Sequence, residues 1–298
     1  MAGHLRGMTI SEHPLLFPCG GDELVGVLAR PLGDSTDVGV VIVVGGPQYR
    51  AGSHRQFVLL ARWLASEGYP CLRFDYRGMG DSTGAPRAFD TVDDDVRAAV
   101  DRLVEQMPSI RRIVLWGLCD GASAACFYAP SDPRVAGIIL VNPWVRTEAG
   151  EAKVMLKHYY GKRLLDPQFW KKLMAGGVTV GKSIREVVGA AGSTVAGRSG
   201  GGAPATSTRL PGRMAGALAT RPVPFALVLS GCDYVAREFE HALAGDAWRA
   251  LARGRQCLGI ERLPDADHTF SNSAARRALE ALSSQLVARI AGAGTGDR

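Results

Sequence analysis

Apolar residues along the chain switch repeatedly between two spacings. In residues 38–44 (VGVVIVV) nearly every position is apolar and β-branched, which is typical of a strand covered on both faces. In residues 53–67 the apolar positions recur three and four apart, which is the spacing of a helix with one buried side. Ser53 is the predicted N-cap of this helix, and Gly68 comes just after its predicted end.

The same alternation continues along most of the chain. Further strands are predicted at residues 24–29, 70–74, 113–116, 135–141, 225–229 and 256–262. Further helices are predicted at residues 91–106, 121–128, 236–251 and 273–290. Strands that alternate with helices indicate an α/β fold, with a mostly parallel sheet and helices on both faces.

One long insertion interrupts this alternation after residue 141. We predict that residues 1–144 and 223–298 form the core domain and that residues 145–222 form an inserted cap. The first half of the insertion has helical patterning, at residues 152–165 and 168–175. Residues 189–212 are rich in Gly, Ala and Ser, which predicts a flexible segment within the cap.

Charge and cysteine content exclude several functional classes. The net charge of +6 is mild for 298 residues, and no nucleic-acid partner is predicted. None of the six cysteines forms a C-x-x-C pair, so a zinc knuckle or a thioredoxin-type motif is unsupported. We predict no metal site and no cofactor. Apolar runs are far shorter than the roughly 20 residues that span a bilayer, and the N-terminus lacks an apolar signal region. We therefore expect a cytoplasmic protein with free thiols.

Residues 113–121 (IVLWGLCDG) carry the main candidate chemistry. They have the G-x-S-x-G pattern of a nucleophile elbow, with Cys119 in place of serine. The tight turn needs neighbours without bulk, at Gly117 and Gly121, and the helix that follows directs N–H groups towards the nucleophile. The alternative is an ordinary strand–helix turn with a buried cysteine.

Two later residues fit the same chemistry. Asp233 and His268 each follow a predicted strand, and the order nucleophile, acid, base is that of an α/β-hydrolase. Asp233 could instead be a helix N-cap, and His268 could be a solvated loop histidine. Asp265 and Asp267 are the fallback candidates for the acid.

With these motifs in this order, the chain resembles the α/β-hydrolase superfamily over nearly its whole length. Residues 44–47 (VGGP) resemble the H-G-G-P turn after the third strand of many members, with valine in place of histidine. This resemblance implies an oxyanion hole formed by the backbone N–H groups of Gly46 and Asp120, because Pro47 has no N–H. We expect the Asp120 side chain to turn into the first turn of its helix. Residues 75–82 (DYRGMGDS) resemble a loop of the superfamily whose glycines permit tight turns.

Two segments resemble a narrower family. Residues 45–57 (GGPQYRAGSHRQF) and 116–121 (WGLCDG) together resemble the exosortase A system-associated hydrolase 1 family. Proteins of that family accompany bacterial exosortase and exopolysaccharide loci, often near acyl carrier and acyl-ligase genes. The expected partner is an acyl substrate, and the basic insertion allows this substrate to be linked to a carrier protein or to coenzyme A.

The predicted function is hydrolysis of an acyl thioester or ester. His268 takes the thiol proton of Cys119, and Asp233 orients the imidazole. Cysteine nucleophiles in this fold occur in dienelactone hydrolases and polyhydroxyalkanoate synthases, and thiol–thioester exchange is nearly balanced in energy. The first alternative is an acyltransferase that uses an amine or hydroxyl acceptor, and the second is a non-catalytic binding protein of the same fold.

The predicted substrate- or partner-binding residues lie in the loop after residue 44 and in the cap. Gln48 is the candidate in the loop. Aromatic residues of the cap are predicted to line or cover the pocket, namely Tyr159, Tyr160, Phe169 and Trp170. All six lysines lie within residues 153–182. This basic stretch is either a solvated helix face or a docking surface for an acidic partner. The docking candidates are Lys153, Lys157, Lys171 and Lys172.

Changing these four lysines to glutamate tests the docking surface. We expect kcat/KM on carrier-linked substrates to fall steeply and to depend strongly on salt, because charge steering is screened beyond about 10 Å at 0.1 M salt. A small neutral ester is the control substrate and should react at the wild-type rate. An equal loss on both substrates, or on neither, would leave the lysines as a solvated surface.

Overall fold

The computed structural model describes residues 10–46, 48–145 and 210–293, whose strands form an eight-stranded sheet. Its spatial order is β1-β2-β4-β3-β5-β6-β7-β8. Strand β2 runs antiparallel to β1 and to β4, and the pairs from β4 through β8 are parallel. The strands are β1 (Ile10–Cys19), β2 (Asp22–Pro31), β3 (Val38–Val43), β4 (Cys71–Phe74), β5 (Arg112–Leu118), β6 (Val135–Val141), β7 (Phe225–Ser230) and β8 (Cys257–Leu263). The predicted α/β-hydrolase sheet is confirmed.

Strand β1 was not predicted. It is an edge strand, and its second half alternates between exposed and buried positions, with Leu15, Phe17 and Cys19 buried. Pro14 and Pro18 interrupt the pattern in the sequence, but an edge strand tolerates proline because one side of it has no partner strand.

Helices cover both faces of the sheet, as predicted. The described helices are α1 (Gln56–Ser66), α2 (Asp93–Gln106), α3 (Asp120–Tyr128), α4 (Leu210–Thr220), α5 (Tyr234–Leu243), α6 (Asp246–Arg253) and α7 (Ser273–Ala293). On one face, β3 contributes Val38, Val40 and Ile42 to a core shared with α1 and α7. On the other face, a Cβ at Gly39 would lie 2.9 Å from Leu103 of α2. Double coverage explains why every residue of β3 is buried.

Three helical details differ from the prediction. Ser53 does not cap α1, because the turn Ser53–Arg55 is a 3-10 helix and α1 begins only at Gln56. The helix predicted at 236–251 is two helices, since Gly245 is extended (φ −73°, ψ 151°) and is the N-cap of α6. Helix α4 was not predicted, yet its apolar side packs at helical spacing through Leu210, Met214 and Leu218.

Contacts divide the chain into two units, residues 1–145 with 211–298 and residues 146–210. Helix α4 belongs to the first unit from Pro211 onwards, where the Pro211 carbonyl accepts a hydrogen bond of 2.9 Å from Trp248 Nε1. The helices predicted at 152–165 and 168–175, and most of the predicted segment 189–212, lie outside the described residues. Within the described ranges, no helix is long and apolar enough to cross a membrane.

The loop after β4 is held by a buried ion pair. The Arg77 guanidinium donates to Asp95 Oδ1 at 3.1 Å and to Asp95 Oδ2 at 2.7 Å, and both side chains are almost fully buried. Gly78 and Gly80 of the same loop have positive φ (71° and 54°), as a tight turn requires. The ion pair thereby ties this loop to the start of α2, beneath the carboxyl edge of the sheet.

Asp95→Ala should therefore destabilise the fold strongly. Removing Asp95 leaves the buried Arg77 charge without its hydrogen-bonded partner, which lowers the free energy of unfolding by about 3–5 kcal/mol. Denaturation with urea measures the change. Asp94→Ala is the matched control, because Asp94 lies 3.8 Å from the same guanidinium but is 80% exposed. Equal losses in the two variants would contradict this account of the buried pair.

Candidate functional site

Cys119 occupies a strained turn between β5 and α3. Its backbone has φ 60° and ψ −127°, a conformation that side-chain-bearing residues rarely adopt. The Cys119 N–H donates to Val141 O at 3.0 Å, and the Cys119 carbonyl accepts from Ala122 N and Trp144 N, each at 3.1 Å. These bonds fix the turn to the start of α3 and to the end of the neighbouring strand β6.

Glycine on both sides of Cys119 allows the close packing that this turn requires. A Cβ at Gly117 would lie 2.6 Å from Ala122 Cα, and a Cβ at Gly121 would collide with the Val43 carbonyl. The predicted role of both glycines, neighbours without bulk, agrees with this geometry. The turn is therefore the strand–elbow–helix arrangement that the pattern of residues 117–121 indicates.

The thiols of the chain differ in burial. Cys119 is partly buried, whereas Cys71 and Cys126 are fully buried. Burial raises the pKa of the Cys71 and Cys126 thiols far above the usual range, so both stay protonated at neutral pH. Cys232 is exposed and lies beside Asp233.

Asp233 and His268 form a hydrogen-bonded pair. Asp233 follows β7, His268 follows β8, and Asp233 Oδ2 lies 2.7 Å from His268 Nδ1. Because a carboxylate only accepts hydrogen bonds, Nδ1 carries a proton, and the neutral form of this imidazole has its lone pair on Nε2. Among the three candidate acids, the structure brings Asp233 to His268, while Asp265 is exposed and Asp267 accepts from Ser271 N at 2.9 Å.

Asp233 is also the N-cap of α5. Its Oδ1 accepts from Val235 N at 3.1 Å, and its Oδ2 accepts from Ala236 N at 3.3 Å. The two interpretations of Asp233 from the sequence, cap and imidazole partner, therefore hold together. The cap fixes the carboxylate rotamer, and the nearly buried carboxylate then presents Oδ2 to the imidazole.

Parallel strands bring Cys119 and the Asp233–His268 pair to the same edge of the sheet. Cys119 follows β5 and Asp233 follows β7, and only β6 lies between these two strands. Asn142, directly after β6, bonds to β7: its N–H donates to Val228 O at 3.0 Å, and its buried side-chain amide bonds to Ser230. Asn142 was not identified from the sequence. Its backbone has a positive φ of 44°, and no local sequence pattern predicts this conformation.

The predicted oxyanion donor Gly46 N–H is bonded within the protein. It donates a short hydrogen bond to Asp120 Oδ1. The Asp120 carboxylate thus lies against the loop after β3, where a Cβ at Gly45 would be 2.6 Å from the same Oδ1. The prediction from the sequence, that this side chain turns into the first turn of its own helix, does not include this contact.

Gln48 orders the loop before α1. Its Oε1 accepts from Ser53 N at 3.1 Å and from Gln56 Nε2 at 3.2 Å. Nearby, Arg50 pairs with Asp75 and with Asp81, which joins this loop to the loop after β4. Contact of Gln48 with a substrate stays a prediction.

Tyr76 was also missed from the sequence. It is 7% exposed, and its hydroxyl has no hydrogen-bond partner within the described part of the chain. Burial raises the pKa of the Tyr76 hydroxyl, and the charges of Asp120 and Asp95 raise it further.

The predicted cap residues lie outside the described residues, and their roles stay predictions; they are Lys153, Lys157, Tyr159, Tyr160, Phe169, Trp170, Lys171 and Lys172.

Two relatives share part of the sequence. A polyketide transferase, grgF, from a Penicillium species is 35% identical over 94 residues, which cover 29% of this chain and 31% of that protein. The quorum-quenching protein AidA of Acinetobacter baumannii is 30% identical over 122 residues, which cover 39% of each chain. The chain thus spans about a third of the length of the curated relatives it matches.

Similarity to a solved structure extends over nearly the whole chain. An esterase from Pyrococcus furiosus superposes with a TM-score of 0.66 at 14% sequence identity, over 95% of this chain and 92% of the esterase. At this identity the likeness concerns the fold. A family model described as "Alpha/beta hydrolase family" matches residues 40–282. Because this match covers most of the sequence, the chain belongs to the α/β-hydrolase family.

Proposed function

We propose that the protein hydrolyses an acyl thioester or ester through Cys119, His268 and Asp233, with an acyl-cysteine intermediate. The proposal rests chiefly on the 2.7 Å pairing of His268 Nδ1 with Asp233 Oδ2, at the sheet edge where the strained Cys119 also lies. An imidazole oriented by a buried carboxylate is the base that such a nucleophile requires.

In the first step, Cys119 attacks the acyl carbonyl. The thiol proton passes to His268 Nε2, and the new C–S bond gives a tetrahedral intermediate with a negative oxygen. Asp233 stabilises the imidazolium and keeps its proton-accepting nitrogen turned towards the thiol. When the intermediate collapses, the leaving thiolate or alkoxide takes the proton from His268.

In the second step, water releases the acyl group. His268 takes a proton from water, the resulting hydroxide attacks the acyl carbon, and the C–S bond breaks. The thiolate then takes the proton from His268, which restores the free enzyme and yields a carboxylic acid. The backbone N–H groups of Gly46 and Asp120 are the proposed donors to the oxyanion in both steps.

Acyl transfer is the second candidate. It differs only in the second step, where an amine or hydroxyl replaces water. A cysteine nucleophile suits it, because an acyl-thioester intermediate retains enough energy to acylate an alcohol or an amine. The partial match to a protein named as a polyketide transferase also favours it.

The resemblance to a narrower family suggests which substrate either reaction, hydrolysis or transfer, would use. The segments 45–57 and 116–121 resemble exosortase-associated hydrolases, whose loci often include acyl carrier genes. An acyl chain on a carrier protein or on coenzyme A is therefore the proposed substrate. The basic residues 153–182 would meet the acidic carrier or the phosphates of coenzyme A.

Intact-protein mass spectrometry with a panel of acyl thioesters tests the nucleophile. We expect an acyl adduct on Cys119 that disappears in water for a hydrolase, and only after an amine or alcohol is added for a transferase. Cys119→Ala should give neither adduct nor turnover at an unchanged unfolding midpoint. Cys232→Ala removes an exposed thiol of the same edge and serves as the matched control. Turnover by the Cys119→Ala variant would refute the assignment.

Asp233→Asn tests the acid. Asparagine caps helices as well as aspartate does, so α5 and the fold should persist. Turnover should fall by up to about 10⁴-fold, the loss seen for the same change in a serine triad. A thiolate–imidazolium pair can form without the acid, which favours a smaller loss. Asp265→Asn, in the exposed part of the loop before His268, is the control and should retain wild-type kcat. Equal kcat values for the two variants would contradict the role of Asp233.

A further inference from the structure

Two roles meet at the backbone N–H of Gly46. The proposed mechanism needs this N–H for the oxyanion, yet in the structure it donates to Asp120 Oδ1. A backbone N–H directs its single hydrogen towards one acceptor at a time at full strength. The carboxylate of the residue next to the nucleophile therefore lies where a negative oxygen is expected to form.

The position of this carboxylate is built into the packing. Gly45 leaves room for it, because a Cβ there would lie 2.6 Å from Asp120 Oδ1 and would also collide with the Leu118 carbonyl. Gly46 has a positive φ of 64°, and its N–H donates to the first residue of α3. A carboxylate accepts more strongly than a neutral carbonyl, so an ester carbonyl competes with it at a disadvantage.

We propose that the Asp120 carboxylate is an internal competitor for the oxyanion site, which must leave Gly46 N–H before an acyl group can react at Cys119. This inference rests on the proposed function. Asp120 then acts against acylation in the resting enzyme, and its displacement precedes the first chemical step.

A displaced Asp120 carboxylate needs a new hydrogen-bond donor, and the Tyr76 hydroxyl is the candidate. Its hydroxyl is buried and has no partner within the described ranges, which is costly for a polar group that could donate. Tyr76 follows Asp75, which pairs with Arg50 of the loop after β3, so Tyr76 lies in a loop that is joined to the Gly46 loop. Burial raises the pKa of the Tyr76 hydroxyl, and the charge of Asp120 raises it further. Donation from Tyr76 would replace the hydrogen bond that Asp120 loses when a carbonyl takes Gly46 N–H, so Tyr76 is a positioning residue.

Two reagents distinguish an effect on the oxyanion site from an effect on the reactivity of the Cys119 thiol. p-Nitrophenyl acetate transfers its acetyl group to Cys119 Sγ and releases p-nitrophenolate, through an oxyanion intermediate. Iodoacetamide forms a C–S bond and releases iodide, with no oxyanion. The ratio of the two rate constants at one pH therefore cancels changes in the thiolate fraction. Both are measured in a Cys232→Ser background, with Cys119 modification followed by peptide mass mapping.

Asp120→Ala should raise the ratio of the acetylation rate constant to the alkylation rate constant by about tenfold or more. The upper limit is the effect of one oxyanion donor, about 10²–10³-fold. Asp120→Asn keeps the shape and a weaker acceptor, so a smaller rise is expected. Asp246→Ala is the matched control, because Asp246 is likewise the first residue of its helix but is fully exposed.

An unchanged or lower ratio in both Asp120 variants, with wild-type unfolding midpoints, would overturn the inference while leaving the nucleophile assignment intact. Alkylation of Cys119 without acetylation in every variant would instead refute the proposed function, and the inference with it.

Tyr76→Phe tests the second position of the carboxylate. In the wild-type background the ratio should fall by several fold, whereas in the Asp120→Ala background it should not change, because no carboxylate remains to be moved. An equal fall in both backgrounds would indicate a purely structural effect and would overturn the role of Tyr76.

Discussion

The geometry of the site depends on the strained backbone of Cys119. A residue with a side chain at φ 60° and ψ −127° costs about 1–3 kcal/mol and persists only where the surroundings impose it. Here, the Cys119 carbonyl accepts from the first turn of α3 and from Trp144, and its N–H bonds to the end of β6. The turn can form only because Gly117 and Gly121 let β5, α3 and the end of β3 approach so closely.

This close approach has a second consequence. It brings the first residue of α3, Asp120, against the loop after β3, so that the elbow and the proposed oxyanion loop share one hydrogen bond. Arg50 continues the connection, because it binds Asp75 and Asp81 in the loop after β4. Three loops at the carboxyl edge of the sheet are thus joined through charged groups.

Structural features that depend on a local sequence pattern could be predicted from the sequence. Buried parallel strands such as β3 are continuous apolar runs, and the elbow has a fixed pattern of glycines, so both were predicted. Strand β1 was missed because its two prolines hide the alternation, and the break at Gly245 was missed because apolar spacing continues across it. The bond from Gly46 to Asp120 joins residues 74 positions apart, and no local pattern encodes such a rotamer.

Asp233 shows why stability and proposed chemistry fall on one side chain. The two N–H groups at the start of α5 need an acceptor in any case, and the carboxylate that satisfies them is thereby held in one rotamer. Its Oδ2 can accept a further hydrogen bond, and it accepts one from His268 Nδ1 at 2.7 Å. Glutamate is a poor cap at this position, and serine could cap but could not stabilise an imidazolium. Aspartate meets both requirements, so the helix cap fixes the imidazole partner without additional structure.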